Sequence, residues 1–199
     1  MAGTAFVFNT LLDQEDRIFD AVAGDLEAAH EAGCRRAARI FQLTVAGPVD
    51  AVITSPGGAP YDGDFIQAMK AVFNVQDVVK PGGAILCAAQ CPEGMRKSFG
   101  RWTELPAGDA LERAARRDYD LAAHNVLKLR ALQQQVRIAL WSALPPAEVR
   151  ALGIEPVASL EEGVAWLNQG APPGCSAAVV PCANVIHATV APAHAGRTS

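Results

Sequence analysis

Residues 50–94 read DAVITSPGGAPYDGDFIQAMKAVFNVQDVVKPGGAILCAAQCPEG and contain the strongest indication of the fold. A short apolar run at 51–54 leads into a stretch rich in glycine and proline. A helical pattern follows from 63 to 75, and a second apolar run covers 83–89. Strand, helix and strand in this order, separated by turn residues, predict a βαβ unit whose two strands are parallel.

The same alternation of apolar runs and amphipathic segments continues on both sides of this unit. The other predicted elements are a hairpin of strands 5–10 and 18–23 around Asp13-Gln14-Glu15-Asp16, a helix 26–41 capped by Asp25, helices 107–117 and 119–134, a strand 136–142, a short helix opened by Pro145-Pro146 and ended by Gly153, a helix capped by Ser159 with Glu162, and a strand 175–181. The pattern predicts one α/β domain over 1–191, a Rossmann-like three-layer sandwich with a mostly parallel sheet. A disordered tail is predicted over 192–199.

Composition excludes several classes of protein. The chain has 199 residues, half of them apolar, and a net charge of −4 without a basic cluster, so nucleic acid is not an expected partner. No stretch approaches the roughly 18 apolar residues of a membrane span, and the N-terminus does not resemble a signal peptide. We expect a soluble, cytoplasmic protein.

The five cysteines do not form a recognisable framework. They are odd in number and scattered, which argues against structural disulfides in a chain without an export signal. Cys87-x3-Cys91 has the spacing of a metal hook, but a second hook or nearby histidines are missing. We expect the cysteines to be small buried apolar residues and name no metal-ligating residue.

Two glycine-bearing turns, 55–62 and 90–94, each follow a predicted strand. In a parallel sheet both turns lie at the carboxyl edge, where open α/β sheets bind ligands. Asp62 is predicted to cap the following helix, whose free N-terminal amides suit an anion. Ordinary tight turns are rich in the same residues, so this pattern alone leaves open both an anion-binding turn and a purely structural one.

Helix 63–75 offers two polar side chains beside the first turn. Its predicted buried face leaves Gln67 and Lys70 together on the opposite side, three residues apart. A solvated helix surface is the alternative interpretation. His124 lies in a later helix with no partner readable from the sequence, and a structural or exposed histidine is the ordinary interpretation there. From the residues alone, the chain is an anion-binding α/β domain.

Several motifs, taken together, resemble one family, the C-terminal domain of nickel-dependent lactate racemase and its 2-hydroxyacid racemase and epimerase relatives. The motifs are Ala23-Gly24-Asp25, residues 27–33, Asp50-Ala51-Val52-Ile53-Thr54-Ser55-Pro56-Gly57-Gly58, Asp62, Gln67-Ala68-Met69-Lys70, Val79-Lys80-Pro81-Gly82-Gly83, Cys91-Pro92-Glu93-Gly94 with Phe99 and Trp102, and Val179-Val180-Pro181. The resemblance covers about 6–190 and is most specific over 55–94.

The resemblance implies a function and a set of site residues. Members hold a nickel-pincer nucleotide that takes a hydride from the substrate Cα and returns it to the other face. Gln67 and Lys70 would be the catalytic contribution of this domain, through orientation and charge stabilisation. The residues implied to bind substrate or cofactor are Ser55, Gly57, Gly58, Asp62, Glu93, Gly94 and His124.

The family places its nickel-binding and acid-base residues in an N-terminal domain that this sequence does not contain. The resemblance therefore implies a fragment or split subunit, inactive as the isolated chain, which needs that domain in cis or in trans and a 2-hydroxyacid substrate. No cofactor is expected on the isolated chain. The alternative hypothesis is a stand-alone, non-catalytic α/β module that binds a small anion or a nucleotide.

Overall fold

The computed structural model describes residues 6–13, 15–95, 97–105 and 108–192. The strands are β1 (Val7–Leu12), β2 (Ile18–Gly24), β3 (Gln42–Val45), β4 (Val49–Thr54), β5 (Val79–Ala88), β6 (Arg137–Trp141), β7 (Glu155–Val157), β8 (Ala177–Val180) and β9 (His187–Val190). The helices are α1 (Leu26–Phe41), α2 (Phe65–Val75), α3 (Phe99–Thr103), α4 (Asp109–Arg117), α5 (Leu121–Gln133), α6 (Pro146–Ala151) and α7 (Leu160–Asn168). A 3₁₀ turn, Gln76–Val78, joins α2 to β5.

The chain divides into two units, of which the smaller comprises Met1–Leu43 and Val185–His187. Strands β1 and β2 form the predicted antiparallel hairpin. The Asp25 carboxylate accepts hydrogen bonds from the N–H groups of Glu27 and Ala28 and so begins α1, as predicted. Leu11, Val22 and Ala29 form the small core between hairpin and helix.

The larger unit comprises Thr44–Asn184 and Ala188–Ser199 and contains a five-stranded parallel sheet in the order β7-β6-β5-β4-β8. Its strands are joined through helices, as parallel strands require. Helices cover both sides of the sheet, which confirms the predicted three-layer α/β architecture. On one face, Ala84, Leu86, Ala139 and Val157 form a core cluster with Leu167 of α7.

Local signals predicted most boundaries correctly but missed four short elements. Pro146 begins α6, and the Ser159 hydroxyl accepts from the Glu162 N–H at the start of α7. The missed elements are β3, β7, β9 and α3, which have three to five residues each. Segments this short contain too few residues for a strand or helix pattern to be recognised, so contacts with the rest of the folded chain decide their structure.

The prediction that Asp62 caps α2 is wrong. The helix begins two residues later than expected, at Phe65, and its cap is Asp64, whose Oδ1 accepts from the Gln67 N–H at 2.8 Å. Either aspartate fits the cap preference, and the sequence does not distinguish them. The extent of one domain over 1–191 stays a prediction, and 193–199 of the predicted tail lie outside the described residues. No helix in the described part of the chain is long and apolar enough to cross a membrane.

Candidate functional site

The carboxyl edge of the sheet carries the two predicted turns side by side. Strands β4 and β5 are parallel neighbours, with Thr54 opposite Cys87 at the end of their pairing. The turn 55–62 therefore follows one strand and the turn 90–94 the next, as the sequence indicated. Their positions correspond to the ligand-binding edge of open α/β sheets.

Ser55 ties the first turn to the chain beyond β8. Its N–H donates to the Val180 carbonyl at 3.2 Å, and its carbonyl accepts from the Ala183 N–H at 2.8 Å. Gly57 has φ +108°, and a Cβ there would lie 3.5 Å from the Cys182 Sγ. Strand order reverses between β4 and β8, the usual position for a ligand crevice. In this protein the segment after β8 is hydrogen-bonded to the Ser55 loop at that position.

The first turn is also joined to the second by a series of hydrogen bonds. The Asp62 carboxylate, 8% exposed, accepts from the Gln90 N–H at 3.0 Å, and the Asp62 carbonyl accepts from the Cys91 N–H at 2.9 Å. Glu93 N–H donates to the Gly63 carbonyl at 2.9 Å, and Phe65 N–H donates to Gly94 at 3.3 Å. The two turns and the start of α2 therefore form one connected layer of loops.

An open cleft of about 460 Å³ lies at the carboxyl ends of β4, β5 and β6. Its lining residues are Ser55, Gly58, Asp62, Ala88, Ala89, Gln90, Trp141, Ser142 and Ala143. The third loop, after β6, joins the second through the Ala143 N–H, which donates to the Gln90 carbonyl at 3.0 Å. Three of the predicted binding residues, Ser55, Gly58 and Asp62, thus share one cleft.

Trp141, Ser142 and Ala143 were missed by sequence reasoning, although a signal existed. A strand was predicted over 136–142, and the end of a parallel strand lies at the same edge as its neighbours. The sequence did not reveal that β6 pairs directly with β5, because pairing is decided by the crossover helices between them.

Gln67 and Lys70 lie on the narrow polar side of α2. Most positions of this helix are buried, whereas Gln67 is half-buried and Lys70 is exposed, which confirms the predicted shared face. Neither side chain has a hydrogen-bond or ion-pair partner within the described ranges. Neither is among the described residues that line the 460 Å³ cleft. They present an amide and an ammonium on a separate surface.

The same polar side of α2 continues to Asn74. Its Nδ2 donates to the Ala183 carbonyl at 2.8 Å and to the Asn184 carbonyl at 3.3 Å. The chain after β8 is therefore held at both Ser55 and Asn74. Gln67 and Lys70 precede Asn74 by two turns and one turn of the helix, so they share a stripe with a residue that already binds backbone.

His124 and Glu93 lie apart from the cleft lining. His124 is exposed and lines a separate depression of about 510 Å³ with Arg116, Tyr119 and Lys128. The Glu93 side chain is exposed, and its Oε1 lies 3.2 Å from where a Cβ on Gly63 would be. The structure thus brings Glu93 and Gly94 to the loop layer but places His124 elsewhere on the unit.

The expectation that cysteines are buried is correct for Cys87 and Cys91 and wrong for Cys34, Cys175 and Cys182, which are exposed. Burial raises the pKa of Cys87. Burial, and then the Asp62 and Asp64 carboxylates, raise the pKa of Cys91 to about 12, so both thiols stay protonated at neutral pH. Among the residues the structure covers, no three His, Cys, Asp or Glu side chains lie close enough to hold a metal ion.

Comparisons with known proteins agree on one family. A family model described as the lactate racemase C-terminal domain matches residues 44–182. Lactate racemase from Thermoanaerobacterium thermosaccharolyticum is 38% identical over 102 residues, 51% of this chain and 24% of that protein. Lactate racemase from Lactiplantibacillus plantarum is 34% identical over 93 residues, 47% of this chain and 22% of that protein.

Solved structures extend the similarity to nearly the whole chain. The lactate racemase apoprotein from T. thermosaccharolyticum matches with a TM-score of 0.78 at 25% identity, over 94% of this chain and 46% of that one. A crystal structure of a Thermotoga maritima protein matches with a TM-score of 0.60 at 14% identity, over 94% of this chain and 49% of that one, and supports the fold alone. The aligned part of this chain spans less than half of each of these proteins.

Proposed function

Because the chain belongs to the lactate racemase C-terminal domain family, we propose that it forms the part of a 2-hydroxyacid racemase or epimerase that covers the substrate and a nickel-pincer nucleotide. It works as a fragment or split subunit with an N-terminal domain supplied in cis or in trans. The observation that carries the proposal is the family match over residues 44–182, which contains Gln67 and Lys70 on the polar side of α2.

Lys70 supplies the charge that a 2-hydroxyacid requires. The substrate carries a carboxylate at neutral pH, and an ammonium binds it as a compact point charge. Lys70 is exposed and has no ion-pair partner within the described part of the chain, so its charge remains available. A second protein body over α2 would exclude water and strengthen this attraction.

Gln67 supplies orientation rather than charge. Its amide presents both a donor and an acceptor, which suits a substrate oxygen that alternates between a hydroxyl group and a keto group. The Asp64 cap fixes the Gln67 backbone through a 2.8 Å hydrogen bond, and the buried neighbours on α2 keep the helix in place. Its side chain is therefore held on a rigid element.

The nickel-pincer nucleotide would supply the hydride acceptor when bound. Within the described residues, the metal-ligating side chains do not form a group that fits nickel. We therefore assign metal binding to the N-terminal domain and derive no step through a metal held by this chain. The glycine turn with Ser55, Gly57, Gly58 and Asp62, and the turn with Glu93 and Gly94, are proposed to face the cofactor and substrate.

The test combines this chain with the N-terminal half of the T. thermosaccharolyticum lactate racemase carrying its cofactor. Interconversion of D- and L-lactate, followed by chiral chromatography, is expected only when both proteins are present. Lys70→Ala and Gln67→Ala should each lower kcat/KM by about 100-fold, the order of magnitude for loss of one group that stabilises charge or orients the substrate. Arg150→Ala, which removes an exposed cation on α6, is the matched control and should retain full turnover.

Lactate turnover unchanged in both variants would remove Gln67 and Lys70 from the site. Nickel bound tightly to this chain alone would contradict the assignment of the metal to the other half. Metal analysis of the purified chain and circular dichroism of each variant complete the experiment.

The second candidate function is a stand-alone module that binds a small anion or a nucleotide without catalysis. The 460 Å³ cleft favours it, because Ser55, Asp62 and Gln90 line a space within the chain itself. Calorimetry with nucleotides and with lactate distinguishes the two. Tight nucleotide binding by the isolated chain, together with no lactate turnover in the mixture, would favour the second function.

A further inference from the structure

The smaller unit presents a sheet with one covered and one uncovered face. In the β1–β2 hairpin, Leu11 lies opposite Asp20, and Val22 lies opposite Asn9. Helix α1 covers this side, because Ala29 packs with Leu11 and Val22 and Arg36 forms an ion pair with Asp20 at 2.8 Å. Cross-strand partners share a face, so the intervening residues point away from α1.

The uncovered face of the hairpin is apolar. Phe8 pairs with Ala23, and Leu12 pairs with Ile18. Phe8 is 66% exposed, Ile18 is 65% exposed and Leu12 is 41% exposed. A two-stranded sheet with one covered face is marginal by itself, and clustered large apolar side chains of this kind mark an interaction surface. We name the surface of Phe8, Leu12 and Ile18 the hairpin face.

The comparisons indicate what covers the hairpin face. The C-terminal domain model begins at residue 44, immediately after the smaller unit ends at Leu43. The T. thermosaccharolyticum lactate racemase structure nevertheless matches 94% of this chain, so the match extends into the smaller unit, and only 46% of that protein is covered. More than half of that relative therefore lies outside the part that this chain matches.

We propose that the hairpin face is the docking surface for the N-terminal half of a lactate-racemase-type protein. Burial of Phe8, Leu12 and Ile18 against that half supplies the apolar contact that the smaller unit otherwise lacks. The inference rests on the proposed function in one respect, that the partner is this N-terminal half. It adds a contact at the hairpin to the cover over α2 and the glycine turns that the proposed function requires.

The experiment measures association rather than turnover. The full chain is mixed with the N-terminal half of the T. thermosaccharolyticum lactate racemase, and sedimentation velocity and calorimetry give stoichiometry and Kd. Phe8→Asp combined with Ile18→Asp places two charges on the hairpin face. Tyr119→Asp is the matched control, because Tyr119 is 67% exposed and belongs to the larger unit.

A one-to-one complex is expected, with Kd raised at least about 30-fold by the double substitution and changed by less than about twofold by Tyr119→Asp. Circular dichroism checks that each variant is folded, and Phe8→Ala provides a milder variant that should also weaken the complex. Absence of a complex, or equal Kd in the double variant and the control, would overturn the proposal. A homodimer of this chain that the double substitution dissociates would also overturn it, by making a second copy the occupant.

The two proposals fail separately. A complex that depends on Phe8 and Ile18 but does not interconvert lactate supports the docking surface and contradicts the proposed function. An active complex whose Kd is unchanged by Phe8→Asp combined with Ile18→Asp supports the proposed function and contradicts the docking surface.

Discussion

The Asp62 carboxylate accepts a hydrogen bond from the Gln90 N–H at 3.0 Å and thereby joins the loop after β4 to the loop after β5. The side chain is 8% exposed, so this hydrogen bond lies largely out of water. Asp62 is thus a structural member of the cleft wall as well as a proposed binding residue. Its substitution should affect the stability of the loop layer before it affects any ligand.

We expect Asp62→Ala to lower the free energy of unfolding by about 1–3 kcal/mol, because the Gln90 N–H loses its acceptor. Asp62→Asn keeps an oxygen at the same position and should lose less stability than Asp62→Ala. Urea denaturation of the three proteins checks the order. Equal stability of Asp62→Ala and wild type would show that the hydrogen bond does not hold the two loops together.

Removing the cap of α2 should loosen the helix that carries Gln67 and Lys70. Asp64→Ala deletes the acceptor of the Gln67 N–H, and loss of an N-cap costs about 1 kcal/mol. Asp64→Ser preserves a capping oxygen and serves as the control. Hydrogen exchange of the first turn of α2 is the direct measurement. It should increase in the alanine variant and stay near wild type in the serine variant.

Stability should depend on pH through Asp50. Its carboxylate accepts from Lys80 Nζ at 2.9 Å on both oxygens, and from the N–H and O–H of Ser176 at 2.8 Å. The Lys80 ammonium above all, and then Ser176, hold the pKa of Asp50 well below its ordinary value of 3.8. A depressed folded-state pKa stabilises the fold above that ordinary value, and the contribution disappears as the pH falls below it.

The Tm difference between wild type and Asp50→Asn should therefore be larger at pH 7 than at pH 3. Thermal unfolding followed by circular dichroism at both pH values gives the two differences. Asp77→Asn, which removes an exposed carboxylate, controls for the change in net charge. A difference that stays constant between pH 7 and pH 3 would argue against a stabilising role for ionised Asp50.

Gly163 allows α7 to approach the sheet. A Cβ at this position would lie 2.6 Å from Leu86 Cδ2, and Leu86 is fully buried. Gly163→Ala should therefore lower the free energy of unfolding by about 1–3 kcal/mol through overpacking. The higher helix propensity of alanine, worth up to about 1 kcal/mol, should not offset this loss. At Gly100 in α3 a Cβ would meet nothing within 4 Å, so Gly100→Ala should be neutral or stabilising. If chemical denaturation shows the same change in the free energy of unfolding for Gly163→Ala and Gly100→Ala, this account of the packing is contradicted.

The elements with strong local signals could be predicted from the sequence. The apolar runs of β4, β5 and β6 specified strands, and the glycine turns between strand and helix placed 55–62 and 90–94 at one edge of a parallel sheet. The polar positions Gln67 and Lys70 followed from helical periodicity, and Asp25 and Ser159 followed from capping chemistry. These features depend on residues close together in the chain.

Features that depend on residues far apart in the chain could be read only from the folded protein. The tertiary structure made Asp64 rather than Asp62 the cap, because the Asp62 carboxylate bonds to Gln90, which is 28 residues away. It brought Trp141–Ala143 into the cleft and joined the chain after Val180 to Ser55 by hydrogen bonds. It also left Cys34, Cys175 and Cys182 exposed. Burial and long-range pairing are properties of the folded chain, and local pattern does not encode which partner a polar or apolar side chain will meet.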